Sequence, residues 1–361
     1  MKVNPKICII IILLISLLYF TQLFVFNTIS IAIENNLIIP KSLLLIFSII
    51  LLIIFLFLKN LSFKKFYYLS YYISSIYLGH ICNSLLICLI YRIINVFILI
   101  NKNYSIFFVI YFPIVISLYG IINANIIHID NKITLKSKKF KNNNPIKICH
   151  LTDLHLGAIY QKKFTQRIIN LIKNNINPDI IVITGDLFDN SNNPNYEFIE
   201  PFNEITCPIL YVTGNHELVI GKKEVLEVLN SSKIKNIGDD LIPFIFQNIY
   251  FIGIDFESKI EKLKEIKYNK EMFNIVLNHV PVLPEELCPY DIDLFLCGHI
   301  YRGQTFPLNI MTFFNAKCYE GLSEYLNRYV FVSSGLGITL MPMRIDLKSV
   351  ISVIKIASDN N

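Results

Sequence analysis

Ile7 to Phe26 carries no charged side chain, and three more apolar runs follow it, at Ser42–Leu58, Tyr67–Leu89 and Tyr104–Ile122. No other feature narrows the fold so far. About 20 apolar residues, at ~1.5 Å per residue in a helix, cross the ~30 Å hydrocarbon core of a bilayer. In that core each backbone N–H and C=O needs an internal partner, so lipid admits only helices and closed barrels. The reading is a membrane region over 1–130 with about four helices, at 7–26, 42–58, 67–89 and 104–122. A cleaved signal peptide is the rival for the first run. However, no small-residue cleavage site follows it, and further apolar segments do. The third run has the least certain boundary, because apolar character continues past Arg92 to Ile100. His80 and Arg92 are costly against lipid and are expected to face the bundle or an interface.

Overall the chain is 53% hydrophobic and only 17% charged, and the apolar excess lies in its first third. Lys and Arg concentrate before the first run (Lys2, Lys6), in the second loop (Lys59, Lys64, Lys65) and after the fourth run (Lys132 to Lys141). By the positive-inside rule four spans place both termini, and whatever follows the spans, in the cytoplasm of a cell-membrane protein. Residues 131–145 read as a basic linker, either solvated or resting on anionic lipid headgroups. The net charge of +6 is modest, and no basic stripe with interleaved aromatics accompanies it, so nucleic acid is not an expected partner. Eight cysteines with no CxxC pair argue against a disulfide framework.

From Ile146 the pattern changes. Short apolar strands alternate with helical stretches, as in an α/β domain with at least partly parallel strands. Strands are expected at Ile146–Leu151, Ile180–Thr184, Ile209–Thr213, Ile249–Ile254, Ile275–Asn278, Leu294–Cys297 and Tyr329–Ser333. Helical spacing runs over Lys163–Ile176, Tyr196–Ile205 and Lys222–Leu229. Polar clusters follow the strand ends, where α/β sheets build their sites. Asp153-Leu154-His155 is the first. If the extended geometry persists to His155, both side chains point to one side and share a cation. Mixed oxygen and nitrogen ligands suit Zn, Mn, Fe or Ni better than Ca or Mg. Asp186, Asn215, His216, His279 and His299 stand at later strand ends. Singly each has an ordinary structural explanation, as a helix cap, a turn former or a satisfied core histidine; together, at five strand ends, they require five coincidences.

Asp153-Leu-His155, Gly185-Asp186-x-x-Asp189, Gly214-Asn215-His216-Glu217, a lone His279 and Gly298-His299 resemble the calcineurin-like metallophosphoesterase superfamily in order and spacing. The similarity covers about Ile146 to Ile356. It is closest to a bacterial and archaeal membrane-anchored subgroup, whose late Gly-Leu-Gly, Pro and Arg correspond to Gly335-Leu336-Gly337, Pro342 and Arg344.

The resemblance implies a four-layer α/β sandwich over 146–361 with two divalent metals at the strand ends. Asp153 and His155 would bind the first metal, Asp186 would bridge both, and Asn215, His279 and His299 would complete the second. The implied reaction is hydrolysis of a phosphomonoester, phosphodiester or pyrophosphate by a metal-activated hydroxide. His216 would protonate the leaving oxygen or stabilise the transition state. Asp189 and Glu217 would orient the His and Asn side chains from behind. A membrane anchor suggests contact with membrane lipids and a lipid-linked substrate as one option.

This chain departs from the family at Gly298-His299-Ile300-Tyr301-Arg302-Gly303-Gln304, where the family has Gly-His-x-His and then Gly-Gly-Gln. Tyr301 stands where a second histidine ligates the first metal. Three readings stay open: a phenolate ligand, a water in that position, or a weakened first site. Arg302, in place of a Gly, would either contact a substrate phosphate or remain a solvated loop arginine. The alternative to an enzyme is a degenerate relative that keeps the fold as a binding or sensor module.

Overall fold

The structure is a computed structural model; it describes residues 5–34, 39–57, 63–238, 242–258, 260–299, 320–345 and 347–359. Tyr301 and Arg302 lie outside the described residues. The chain divides into two compact units.

The helical unit takes in the described residues of Met1–Asn123 and Leu340–Asp346. Its helices are α1 (Pro5–Ala32), α2 (Lys41–Phe57), α3 (Lys64–Phe97) and the continuous run α4 (Lys102–Ile106), π-turn Phe107–Tyr111 and α5 (Phe112–Ala124), whose last residue falls in the other unit. Among the described residues, three stretches are long and apolar enough to cross a membrane: Ile9–Ala32, Lys64–Phe97 and Lys102–Ala124. The helix at the second apolar run has 17 residues, about 26 Å at ~1.5 Å per residue. The third apolar run extends well beyond 67–89, because no Gly or Pro interrupts Leu89–Phe97; its helix reaches 34 residues. Pro113 has no N–H to bond back along the helix, and the π-turn lies just before it.

Several polar groups inside this unit are paired across helices. His80 Nδ1 and Asn83 Nδ2 each lie 3.1 Å from Ser117 Oγ, and Gln22 Nε2 donates to Ser48 Oγ at 3.2 Å. The late Pro-Met-Arg segment packs here as well. A Cβ on Gly79 would stand 2.8 Å from Met343 Sδ. The Arg344 N–H donates to Gly120 O, and Asn123 Nδ2 donates to Arg344 O, both at 2.9 Å.

The second unit starts at Ala124. It contains two six-stranded mixed sheets, ordered β1-β12-β2-β3-β4-β5 and β10-β11-β9-β8-β7-β6. The first is built from β1 (Ile127–Ser137), β2 (Ile146–Leu151), β3 (Ile180–Thr184), β4 (Ile209–Val212), β5 (Ile234–Asn236) and β12 (Ser349–Ser358). The second contains β6 (Phe244–Phe246), β7 (Ile249–Gly253), β8 (Phe273–Leu277), β9 (Leu294–Cys297), β10 (Gly321–Tyr325) and β11 (Arg328–Val332). β2, β3, β4 and β5 pair in parallel, as do β7, β8 and β9.

Strand alternation builds the layers. Ile148, Ile180, Val182 and Leu210 of the first sheet meet Phe251, Ile275, Leu277 and Leu296 of the second in one core. Their neighbours Cys149, Leu151, Ile181, Ile183 and Tyr211 face the opposite way, onto α6 (Lys162–Leu171), α7 (Tyr196–Ile199) and α9 (Lys222–Leu229). The outer face of the second sheet, through Ile252, Val276, Phe295 and Val332, packs on the 3₁₀ turns Ile260–Glu265 and Pro284–Leu287. That is a four-layer α/β sandwich.

The segment expected as a basic linker over 131–145 is largely something else. β1 occupies Ile127–Ser137 and pairs in parallel with β12, and Phe140 is fully buried in the inter-sheet core. Its lysines hid the strand: Lys132 and Lys136 are exposed, while Leu135 is buried.

Candidate metal centre

The candidate residues all come from turns beyond the strand ends. Asp153 and His155 follow β2, Asp186 follows β3, Asn215 and His216 open α8 (Asn215–Ile220) after β4, and His279 and His299 follow β8 and β9. Both sheets contribute.

The first pair does not share a side by strand geometry. β2 ends at Leu151, and Asp153 and His155 take positive φ of 53° and 48°, as do Asp186 at 51° and His299 at 66°. Left-handed backbone at non-glycine residues costs energy and concentrates at functional sites. Here it is held by neighbouring turns that continue the pairing of β2 with β3. Asp153 N–H donates to Gly185 O at 3.1 Å, His155 N–H to Asp186 O at 3.0 Å and Leu156 N–H to Leu187 O at 2.9 Å. Glycines admit these contacts. Gly185 has φ +85°, and a Cβ there would stand 2.5 Å from His279 Nδ1. Gly335 packs on the Asp153 side chain, and Gly337 N–H donates to Asp153 O at 2.7 Å.

Glu217 is fully buried and fixes the Asp186 turn. Its Oε1 accepts from the N–H of Leu187 (2.8 Å) and Phe188 (3.2 Å), and its Oε2 from Asp186 (3.0 Å) and Gly214 (2.7 Å). Burial and the Asp186 charge push its carboxyl up to about 7, against the pull of the N–H groups. Asp189, also buried, accepts from Ser191 N–H at 2.9 Å and from the Ser191 hydroxyl, and fills the space a Cβ would need at Gly157. Both carboxylates were expected to orient His and Asn side chains. In their described hydrogen bonds Glu217 holds backbone N–H groups and Asp189 holds Ser191, so their support acts through the turns rather than through the imidazoles.

The side chains converge in two overlapping sets. His155, Asp186 and His216 offer ligand atoms all within 4.8 Å of one another, and so do Asp186, His279 and His299. Asp186 is common to both. Its Oδ2 lies 3.2 Å from His279 Nε2, 3.8 Å from His155 Nε2 and 4.0 Å from His216 Nε2. Its Oδ1 accepts from the His216 N–H at 2.9 Å.

The His279 tautomer follows from chemistry. Its Nδ1 lies 2.8 Å from Thr184 O, which only accepts, so Nδ1 carries the proton. The neutral ring therefore presents its Nε2 lone pair to Asn215 Oδ1 at 3.1 Å, Asp186 Oδ2 at 3.2 Å and His299 Nδ1 at 3.0 Å. Oxygens and nitrogen lone pairs packed this closely repel unless a positive charge stands among them. Burial alone would lower the His279 pKa, but the Asp186 carboxylate raises it to about 9. Asp186 itself is held well below the usual carboxylate range; burial opposes this, and His279 dominates. Burial lowers His299 to about 4, with His279 adding to it.

Asp153 tells the same story on the other side. Its Oδ2 accepts from Thr152 Oγ1 at 2.7 Å and from His299 N–H at 3.2 Å. Its Oδ1 is buried, accepts no hydrogen bond from the described residues and lies 3.9 Å from both His155 Nε2 and His279 Nε2. Burial raises this carboxyl to about 6. A donor set of carboxylates, an amide oxygen and imidazoles, with a buried oxygen that no described residue bonds, fits divalent cations.

Some contributors carried no motif. Thr152 and Thr184 hold Asp153 and His279. Asp255, fully buried, accepts from the Thr213 N–H at 2.7 Å, and the Phe256 ring lies 6.2 Å from both His279 and His299. Asp255 stands just past the end of β7, the rule that found the other carboxylates.

Comparisons with known proteins agree with this geometry. The family described as calcineurin-like phosphoesterase matches residues 146–303. An uncharacterized metallophosphoesterase of Helicobacter pylori is 30% identical over 226 residues, covering 60% of this chain and 60% of that protein. A transmembrane protein with metallophosphoesterase domain from Danio rerio is 27% identical over 266 residues, covering 66% and 59%. The uncharacterized metallophosphoesterase YkuE of Bacillus subtilis is 27% identical over 242 residues, covering 59% and 80%. The match thus spans about 60% of the first relatives' length. The chain carries a calcineurin-like phosphoesterase domain, and domains of this family generally use a dinuclear metal centre.

Proposed function

We propose that this chain is a membrane-anchored, metal-dependent phosphoesterase that hydrolyses a phosphomonoester, phosphodiester or pyrophosphate, with its catalytic unit on the cytoplasmic side. The observation that carries the reading is the pair of ligand sets sharing Asp186. Asp153, His155 and Asp186 would hold one cation, and Asp186, Asn215, His279 and His299 the other. Cations held there would supply charge to a bound phosphoryl group and lower the pKa of a coordinated water.

The chain's own groups do the rest. Glu217 keeps the Asp186 turn in place. Thr184 fixes the His279 tautomer, so that Nε2 faces the centre. The His216 ring packs on His155 with centroids 4.6 Å apart, and its side chain is 22% exposed. An imidazole that is both buried on one side and open on the other suits proton delivery to a departing alkoxide. Three spans able to cross a bilayer support anchoring and favour a lipid-linked ester among the substrates.

The test is hydrolysis of bis(p-nitrophenyl) phosphate by the detergent-purified chain with Mn²⁺. Wild type should turn over and Asp186→Asn should lose at least 100-fold; equal activity in the two would refute the reading. The Tyr301 substitution favours the second reading, a binding or sensor module with a weakened first site. That reading predicts one metal or none per chain and no gain from added Mn²⁺.

A further inference from the structure

Several ties join the two sheets around the site. His279 Nδ1 donates to Thr184 O, and His299 N–H donates to Asp153 Oδ2. Both of these involve candidate ligands. Another does not. Thr213 N–H donates to Asp255 Oδ1 at 2.7 Å, and Phe256 N–H returns a bond to Thr213 O at 3.2 Å. Thr213 is the last residue before the Gly214-Asn215-His216 turn, and Asp255 stands just past the end of β7 in the other sheet.

The local structure is shaped around this carboxylate. Asp255 is fully buried. A Cβ on Gly238 would collide with its oxygens, so only glycine leaves it room. Lys222 Nζ lies 2.9 Å from Asp255 Oδ2 and supplies the opposite charge from the first turn of α9. Burying a carboxylate is costly unless it is paired and hydrogen-bonded. An apolar residue would serve a purely structural corner between sheets. A carboxylate does what an apolar residue cannot, which is to fix one backbone N–H in direction and depth.

We propose that Asp255 is a positioning residue of the phosphoesterase site: through Thr213 it sets where the Asn215 amide oxygen and the His216 imidazole stand against the other ligands. This rests on the phosphoesterase reading for its kinetic consequence but not for its structural one. Asn215 Oδ1 lies 3.1 Å from His279 Nε2, and small displacements of catalytic groups cost far more in rate than in binding.

The test compares wild type, Asp255→Ala and Asp255→Asn in the full detergent-solubilised chain. Asn keeps an acceptor oxygen for Thr213, and Lys222 can turn to Glu257, which is 3.6 Å away. In Asp255→Ala, amide hydrogen exchange across Thr213–His216 should rise at least tenfold. Its kcat on bis(p-nitrophenyl) phosphate with Mn²⁺ should fall at least tenfold, with KM within threefold and bound Mn²⁺ per chain unchanged. Asp255→Asn should restore exchange and kcat to within about threefold of wild type. Unchanged exchange and kcat in Asp255→Ala would overturn the proposal, as would a loss that Asn does not restore. If wild type cleaves no phosphoester, the functional reading fails, and the exchange comparison still decides whether Asp255 sets the turn.

Discussion

Replacing Glu217 by Gln should be far more damaging than one atom suggests. The two carboxylate oxygens take four backbone N–H groups, two each, from Gly214 and the Asp186–Phe188 turn. Whichever way the Gln amide is oriented, its NH₂ replaces an acceptor of two bonds and faces two donors. Hydrogen bonds to a charged acceptor contribute about 1.5–3 kcal/mol each, so two lost bonds cost about 3–6 kcal/mol. Relief from burying a charge offsets part of that. The damage should be local, because these N–H groups hold Asp186 in its left-handed turn. Hydrogen exchange followed by mass spectrometry on the full chain is the assay. Peptides covering Asp186–Phe188 should lose at least 100-fold protection in Glu217→Gln, while β8 and β9 exchange as in wild type. Melting of the second unit should move down by at least 5 °C. Protection within threefold of wild type would refute the reasoning, since it would mean that the four bonds do not hold the turn.

Other perturbations follow from the same geometry. Gly185→Ala places a Cβ against the His279 ring at a φ that L-residues avoid, and should destabilise by about 2–4 kcal/mol, read by thermal melting. His279 has a folded pKa of about 9 against an ordinary 6.5, so its stabilising effect in metal-free protein is full below pH 6.5 and is lost as pH rises through 9. Metal must displace that proton, so Mn²⁺ affinity should strengthen up to about pH 9. Melts with EDTA and with Mn²⁺ at pH 6.5, 7.5 and 9 should therefore diverge steadily; a constant gap would contradict this. In the helical unit Gly79→Leu fills the space that Met343 occupies and should cost about 1–3 kcal/mol by overpacking. Detergent melts check it, and Gly79→Ala should cost less.

Much of this was legible in the sequence because the site residues sit at strand ends and the strands are short apolar runs. β2, β3, β4, β8 and β9 fall where the runs predicted them, and the motif residues follow each. β1, β5, β6, β10 and β12 are not among the expected strands. β1 carries lysines on its exposed positions and reads as a charged linker, and β5 and β6 are only three residues long. The convergence of Asp153 and His155 was expected from strand periodicity, but it arises from positive φ at both residues. No residue type announces left-handed backbone at an Asp or a His; the turn of β3 imposes it through hydrogen bonds between segments distant in sequence. The same holds for Glu217, whose role lies in backbone N–H groups about 30 residues away. Asp255 stands just past a strand end as the others do, but without a neighbouring His, Asn or Gly motif to mark it.

The central claim is that Asp186 is shared by two cations. Metal content of the purified full chain, loaded with Mn²⁺ and desalted, tests it most directly. The account predicts two Mn²⁺ per wild-type chain and fewer than one in Asp186→Ala, since both ligand sets lose their common oxygen. Two tightly held ions in Asp186→Ala, or none in wild type, would contradict it.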